Sequence, residues 1–287
     1  MDVARRVLVT GATGYIGRAA CRALHSRGFD VVSAGSADDL LATGGAERLV
    51  ANAKADSILH LAWNVTPGVY WTHPDNTHWA RATADLARAF TASGGRRFVG
   101  AGTCAEYDWS TGRCDERTTA IAPATLYGRA KADAWRDVKQ IAADSGASAA
   151  WGRIFWLFGA ANEHPSRLVP TILRAIRVGE PALCTSGEQL RDFLHVDDVG
   201  DAFAALVASD VEGALNIASG EPRRVRDVIE GVASRLGRLD LIRLGARPSD
   251  EVPLVCAAID RLRDEIKWRP SMTFDEALDR AVAKNSV

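Results

Sequence analysis

Apolar positions in the first half of the chain follow two alternating rhythms. Short apolar runs at 7–10, 31–34, 57–61, 97–101 and 148–155 have the length of buried strands. Between them, residues 16–26, 46–53, 76–93 and 126–144 repeat apolar positions with a helical period. This alternation predicts βαβ units, and right-handed crossovers place helices on both faces of a parallel sheet. After residue 158 the rhythm loosens. Residues 159–165 read as a loop, 168–178 as a helix and 179–181 as a turn; helices follow at 197–208, 225–236 and 274–283, and a strand at 215–218. No long Gly/Ser/Pro stretch marks a flexible linker.

At 287 residues the chain is long enough for one large domain or two closely joined ones. Its net charge of −1 predicts no general attraction to nucleic acid or an anionic membrane. The five cysteines are scattered and none has CxxC spacing, so neither a disulfide framework nor a metal site is indicated. No apolar run approaches the ~18 residues of a membrane span, and no signal layout precedes the first strand pattern. A cytoplasmic enzyme is the expectation.

Candidate chemistry begins directly after the first strand, at Thr10-Gly11-Ala12-Thr13-Gly14-Tyr15-Ile16-Gly17. Glycines at this spacing, between a strand and a helix, let the backbone turn tightly and approach a pyrophosphate seated at the helix N-terminus. This motif makes the expected fold a Rossmann-type doubly wound α/β sheet. The dinucleotide-binding part is expected at 1–158, with 192–219 returning to it. Residues 159–191 and 220–287 would form most of a smaller substrate-binding lobe. The second strand ends Val32-Ser33-Ala34-Gly35-Ser36, with no acid at its tip. Ser36 and Arg18 could meet a 2′-phosphate there, which favours NADP(H). Asp38 and Asp39 lie just beyond and could serve the ribose or adenine instead, leaving NAD(H) open.

A second motif, Tyr127-Gly128-Arg129-Ala130-Lys131, puts a phenol and an ammonium four residues apart, on one helical face. A nearby ammonium favours the phenolate, so Lys131 is expected to lower the pKa of Tyr127 and fit it for proton exchange with a carbonyl or alcohol. Thr103 follows the strand at 97–101 and should lie at the carboxyl end of the sheet, where its hydroxyl can hold the reacting oxygen.

Together these residues resemble the extended short-chain dehydrogenase/reductase family, the group of nucleotide-sugar epimerases, dehydratases and reductases. His60-Leu61-Ala62 resembles the segment that passes the cofactor after a central strand, and Asn76 the asparagine that opens the next helix. Arg153-Ile154-Phe155-Trp156-Leu157-Phe158-Gly159 resembles the strand and turn beside the nicotinamide, and 191–199 and 216–220 the C-terminal signatures. The resemblance implies cofactor contacts from the glycine turn, Ser36, Asp39, Leu61, Ala62, Phe155, Tyr127 and Lys131. It implies a nucleoside-diphosphate sugar substrate, with Trp63, Thr103, Cys104 and Val169 around it. Arg191 and Arg247 would lie at its diphosphate, unless Arg191 pairs instead with Asp192 or a nearby acid. It also implies a homodimer through helices 76–93 and 126–144.

The chain departs from that pattern in informative places. Family dehydratases carry an acid pair after the threonine, where this chain has Cys104 and Ala105; strand alternation would aim Glu106 away from Thr103. Dehydration is therefore disfavoured. About 22 residues separate Gly35 from the run at 57–61, so the usual third strand should be shortened or absent. That compact layout ranks a reductase of a nucleotide-linked 4-keto-deoxysugar first, and a nucleotide-sugar 4-epimerase with tightly held NAD second. A non-catalytic nucleotide-binding protein is a third reading. Trp63 to Pro74 is rich in aromatic residues and is expected to cover the sugar or simply to pack.

Overall fold

The structure is a computed structural model describing residues 5–35, 38–159 and 162–284. In chain order the first half runs β1 (Arg6–Thr10), α1 (Gly17–Ser26), β2 (Asp30–Ala34), α2 (Gly45–Ala53), β3 (Ser57–His60), α3 (Asp75–Ala92), β4 (Arg97–Thr103), β5 (Arg113–Cys114), α4 (Leu126–Ser145) and β6 (Ser148–Ile154). The second half runs β7 (Trp156–Phe158), α5 (Leu168–Val178), β8 (Ala182–Leu183), β9 (Leu190–His195), α6 (Val196–Ala208) and β10 (Gly213–Ile217). It ends with β11 (Pro222–Arg224), α7 (Val225–Arg235), β12 (Ile242–Arg243), β13 (Leu254–Ala257), α8 (Asp260–Asp264) and α9 (Phe274–Lys284).

Six of these strands form a parallel central sheet in the order β10-β6-β4-β3-β1-β2. One apolar cluster joins α1 and α6 to one sheet face through Ala20, Leu24, Val199 and Phe203. Another joins α2, α3 and α4 to the other face through Val50, Leu86, Phe90 and Val138. The doubly wound Rossmann-type α/β fold is thus present. β2 forms one edge of the sheet and is followed only by α2 before β3, in keeping with the missing third strand.

β4 runs two residues beyond the 97–101 stretch and is buried throughout, which brings Thr103 into the end of the sheet. The faces of Gly100 and Gly102 are bare, and the Trp151 indole occupies the space where their Cβ atoms would stand.

The second sheet runs β11-β9-β13-β5, with β7 also paired to β9. Its core lies against α5, α7 and α9, through residues such as Ile172, Val228 and Leu278. Of the stretch 192–219, α6 and β10 join the central body while β9 joins the second sheet. Asp192 fastens this crossing. Its buried carboxylate accepts from Ser219 N (2.8 Å), Ser219 Oγ (2.6 Å), Gly220 N (2.9 Å) and Ala257 N (3.2 Å). Among the described residues, no helix is long and apolar enough to cross a membrane.

Candidate active site

A cavity of about 550 Å³ runs along the carboxyl end of the central sheet to the second lobe. Gly11, at the end of β1, has φ +68°, and a Cβ there would come within 2.9 Å of Ala62 N. A Cβ on Gly17 would overlap the carbonyls of Gly11 and Ala12, so only glycine lets α1 start this close to the strand. Gly11, Gly14, Tyr15, Ile16, Gly17, Leu61 and Ala62 line the cavity. The first turn of α1 has no side-chain cap, and of its amides Arg18 N donates to Gly14 O at 3.3 Å. This bare cradle fits a pyrophosphate, and therefore a dinucleotide.

The β2 tip differs from the sequence expectation. Ser36 lies outside the described residues. Asp38 Oδ2 accepts from Gly35 N at 3.0 Å, so the turn folds an acid back onto a tip that reads as uncharged in the sequence. Asp39 is exposed and accepts from Leu41 N at 2.9 Å; it does not line the cavity. Thr13 is also exposed and off the cavity, and its carbonyl accepts from Arg18 Nε at 3.0 Å.

Under the turn, His60 shares hydrogen bonds with Thr10 Oγ1 (2.7 Å) and Thr83 Oγ1 (2.9 Å), and Thr10 Oγ1 also accepts from Ala62 N (3.3 Å). Burial, with the Lys131 charge adding to it, pushes the His60 pKa down to about 3. A neutral imidazole therefore ties β1, β3 and α3 together beneath the cofactor cradle.

Thr103 and Tyr127 meet at the cavity floor, where their side chains hydrogen-bond. Thr125 caps α4 by accepting from Gly128 N at 3.1 Å, and Tyr127 N donates to Trp71 O at 3.1 Å, which fixes the first turn of the helix. Lys131 is buried one turn along. It does not act on Tyr127 as the spacing predicts. Its Nζ donates to Ala101 O at 2.7 Å and lies 3.8 Å from the Trp63 ring centre. Burial pushes the Tyr127 phenol pKa up, and the same loss of water lowers Lys131 to about 7.

Aromatic rings close around the phenol. Tyr70, Trp71 and Trp63 stand edge-on to Tyr127 at 4.9, 5.8 and 6.3 Å between centres. Trp63 is held by its Nε1 donating to Asn76 Oδ1 at 2.8 Å. The aromatic segment after Ala62 thus forms a cavity wall.

Behind Thr103 the chain makes a 3-10 turn, Cys104–Glu106, where strand alternation no longer applies. Glu106 still faces away from the cavity, for a different reason. It is fully buried and accepts from Thr103 N (2.9 Å), Trp151 Nε1 (3.0 Å) and Arg153 Nε (2.7 Å). Cys104 lines the cavity, and burial raises its thiol pKa well above the usual range.

At the far end, Phe155, Val169 and Arg191 line the cavity. Arg191 is buried and reaches Leu190 O (2.8 Å) and Glu251 Oε2 (2.7 Å); its acid partner is Glu251, not Asp192. Among the described residues, Arg191 Nε has no hydrogen-bond partner. Arg247 is exposed and off the cavity, and its backbone N donates to Cys184 O at 3.0 Å. Tyr70, Trp71 and Trp156 line the cavity from segments expected beside the ligand, and Glu163, Arg167 and Glu251 line it without being anticipated as contacts. The i,i+4 spacing of Glu163 and Arg167 is the one sequence signal among them.

Residues 7–218 match the family model described as the NAD dependent epimerase/dehydratase family. The chain belongs to that family. Among its relatives, a UDP-glucose 4-epimerase of Rhizobium meliloti is 25% identical, over 92% of each chain. A dTDP-6-deoxy-L-talose 4-dehydrogenase (NAD(+)) of Aggregatibacter actinomycetemcomitans is 24% identical, over 78% of this chain and 88% of that one. The Thermus thermophilus UDP-glucose 4-epimerase, solved in complex with NAD, shares the fold at a TM-score of 0.85 and 22% identity, over 98% and 99% of the two chains. The family relatives favour epimerisation over the 4-keto reduction that the compact layout ranks first.

Proposed function

We propose that this protein is a nucleotide-sugar 4-epimerase that keeps NAD bound through its cycle. The observation that carries the reading is the Thr103–Tyr127 pair on the floor of a dinucleotide-sized cavity, with Lys131 one turn along α4 and no acid beside Thr103 facing the cavity. The curated relatives, several of them UDP-glucose 4-epimerases, support it. NAD is favoured over NADP because the Asp38 carboxylate at the β2 tip would repel a 2′-phosphate.

Bound NAD supplies the acceptor and donor of hydride at carbon 4 of the sugar. Tyr127 takes the proton of the 4-hydroxyl and later returns it to the ketone oxygen. Thr103 holds that oxygen through its hydroxyl. Lys131 is the cation on the same helical face that can favour the phenolate once Nζ leaves Ala101 O. Cys104 and Ala105 supply no general acid, so loss of water from the sugar has no proton donor there. Arg191 offers its unpartnered Nε to the diphosphate. The same reading pairs two copies through the outer faces of α3 and α4.

The test is incubation of the purified protein with UDP-glucose, UDP-N-acetylglucosamine and deoxythymidine-diphosphate sugars, following sugar configuration and the nicotinamide absorbance. Epimerisation without net NADH, and its loss by about a hundredfold or more in Tyr127→Phe, is expected. The 4-dehydrogenase relative supports a second reading, reversible oxidation of a 6-deoxy sugar. Stoichiometric NADH release with such a substrate would replace the first reading with the second.

A further inference from the structure

The glycine turn sends one large side chain toward the second lobe, and the proton chemistry makes no use of it. Tyr15 lies with its ring centre 5.2 Å from the Arg167 guanidinium, and its hydroxyl lies beside the Glu163 carboxyl. Glu163 and Arg167 are anchored independently. The Glu163 side chain is 2% exposed; it accepts from Gly159 N at 2.9 Å and from Arg167 Nε at 3.1 Å. Arg167 also donates to Leu157 O at 2.7 Å, which ties both residues to the end of β7. Tyr15, Glu163 and Arg167 line the same cavity as Gly11, Gly14 and Thr103.

A bridge therefore runs from the β1–α1 turn to the segment between β7 and α5, beside the cradle that fits a pyrophosphate. A ligand lying along the turn would be flanked by this bridge. The ring stack and the hydroxyl–carboxyl contact are each modest alone, and they act on the same tyrosine.

We infer that Tyr15, Glu163 and Arg167 form a clasp that slows dinucleotide release, so that the cofactor stays on the glycine turn between turnovers. They are positioning residues and touch no reacting atom. This rests on the reading of the cavity as a dinucleotide site, and it explains how an epimerase, which regenerates its cofactor in place, would avoid losing it.

The experiment measures NAD dissociation rather than turnover. Protein loaded with NAD is mixed with an excess of an NAD-consuming dehydrogenase system, and recovery of tryptophan fluorescence reports release. Tyr15→Phe removes the hydroxyl and keeps the ring; Arg167→Met removes the charge over the ring. Each is expected to release NAD about tenfold faster than wild type, with an association rate within about twofold. The double variant should be little faster than the faster single variant, because both contacts serve one bridge. Thermal unfolding of Tyr15→Phe without NAD should shift by no more than about 4 °C, which separates the clasp from a loss of fold. Release at the wild-type rate overturns the inference. Faster association with unchanged release also overturns it, since the bridge would then be an entry barrier. Either result leaves the dinucleotide reading intact, whereas a wild-type protein that binds neither NAD nor NADP overturns both.

Discussion

Held between two threonine hydroxyls under the glycine turn, His60 remains a neutral imidazole. Its folded pKa of about 3 lies below the 6.5 of an unfolded chain. Between those values the unfolded state binds a proton that the native state refuses, so stability falls as pH drops from about 6.5 toward 3. The imidazole Cε1 proton resonance should stay flat from pH 7 to 5 in the folded protein; a titration near 6.5 would refute this. The Tyr127→Phe loss belongs to the same scale. Residue chemistry was legible where a motif keeps its members close. Thr103, Tyr127 and the glycines needed only spacing. Glu106 and Arg153, or Arg191 and Glu251, meet across 47 and 60 residues, and nothing local announces either pair. Lys131 was placed on the helix, and the structure adds that its Nζ donates to Ala101 O. Spacing shows that two groups share a face, but not how much water each has lost.

Among the elements, α4 carries Tyr127 and Lys131, to which the proposed function gives the proton chemistry, and its first turn has one side-chain cap. Thr125 accepts from Gly128 N three residues on, with Tyr127 between them. Thr125→Ala should cost about 1 kcal/mol in urea unfolding. It should also lower kcat by more than Thr125→Ser does, because the serine hydroxyl keeps the cap. Equal kcat in the two variants would separate the cap from catalysis. The longer helices were readable to within a residue or two because each buries a periodic face, and the central strands because each is a short apolar run; α8, of five residues, was not read. The strands of two or three residues, β5, β7, β8, β11 and β12, have no period to read. They exist because distant backbone pairs with them, as Cys256 and Ala257 do with Arg113 and Cys114.

For the whole molecule, the cleft between α3 and α4 displays Arg81, Arg88, Arg129 and Arg136 beside Asp85 and Asp133. A two-fold copy can set some of these arginines against its own Asp85 and Asp133, which pair with Arg88 and Arg136 within one chain. Light scattering should give a dimer mass at low salt and a lower average mass as salt rises; a monomer mass at low salt would remove this interface. Fold class was open to the sequence because the alternation of strand and helix is strong. The division between body and lobe was harder, because β9 and α6 are consecutive in the chain and belong to different sheets.

That consecutive pair bears on how the molecule comes into being. Leu194, Val199, Phe203, Leu206, Leu215 and Ile217 complete the apolar layer over α1 and β6. A chain emerging from the ribosome can make β1 to β4 and β6 early, yet one side of its sheet stays greasy until residue 217 has cleared the exit. A fragment ending at residue 159 should therefore aggregate or remain molten, with weak near-ultraviolet circular dichroism, while adding the missing stretch in trans should restore it. The nucleotide-binding half is a unit of shape but not of synthesis, and a chaperone would meet it with its α1 face still uncovered.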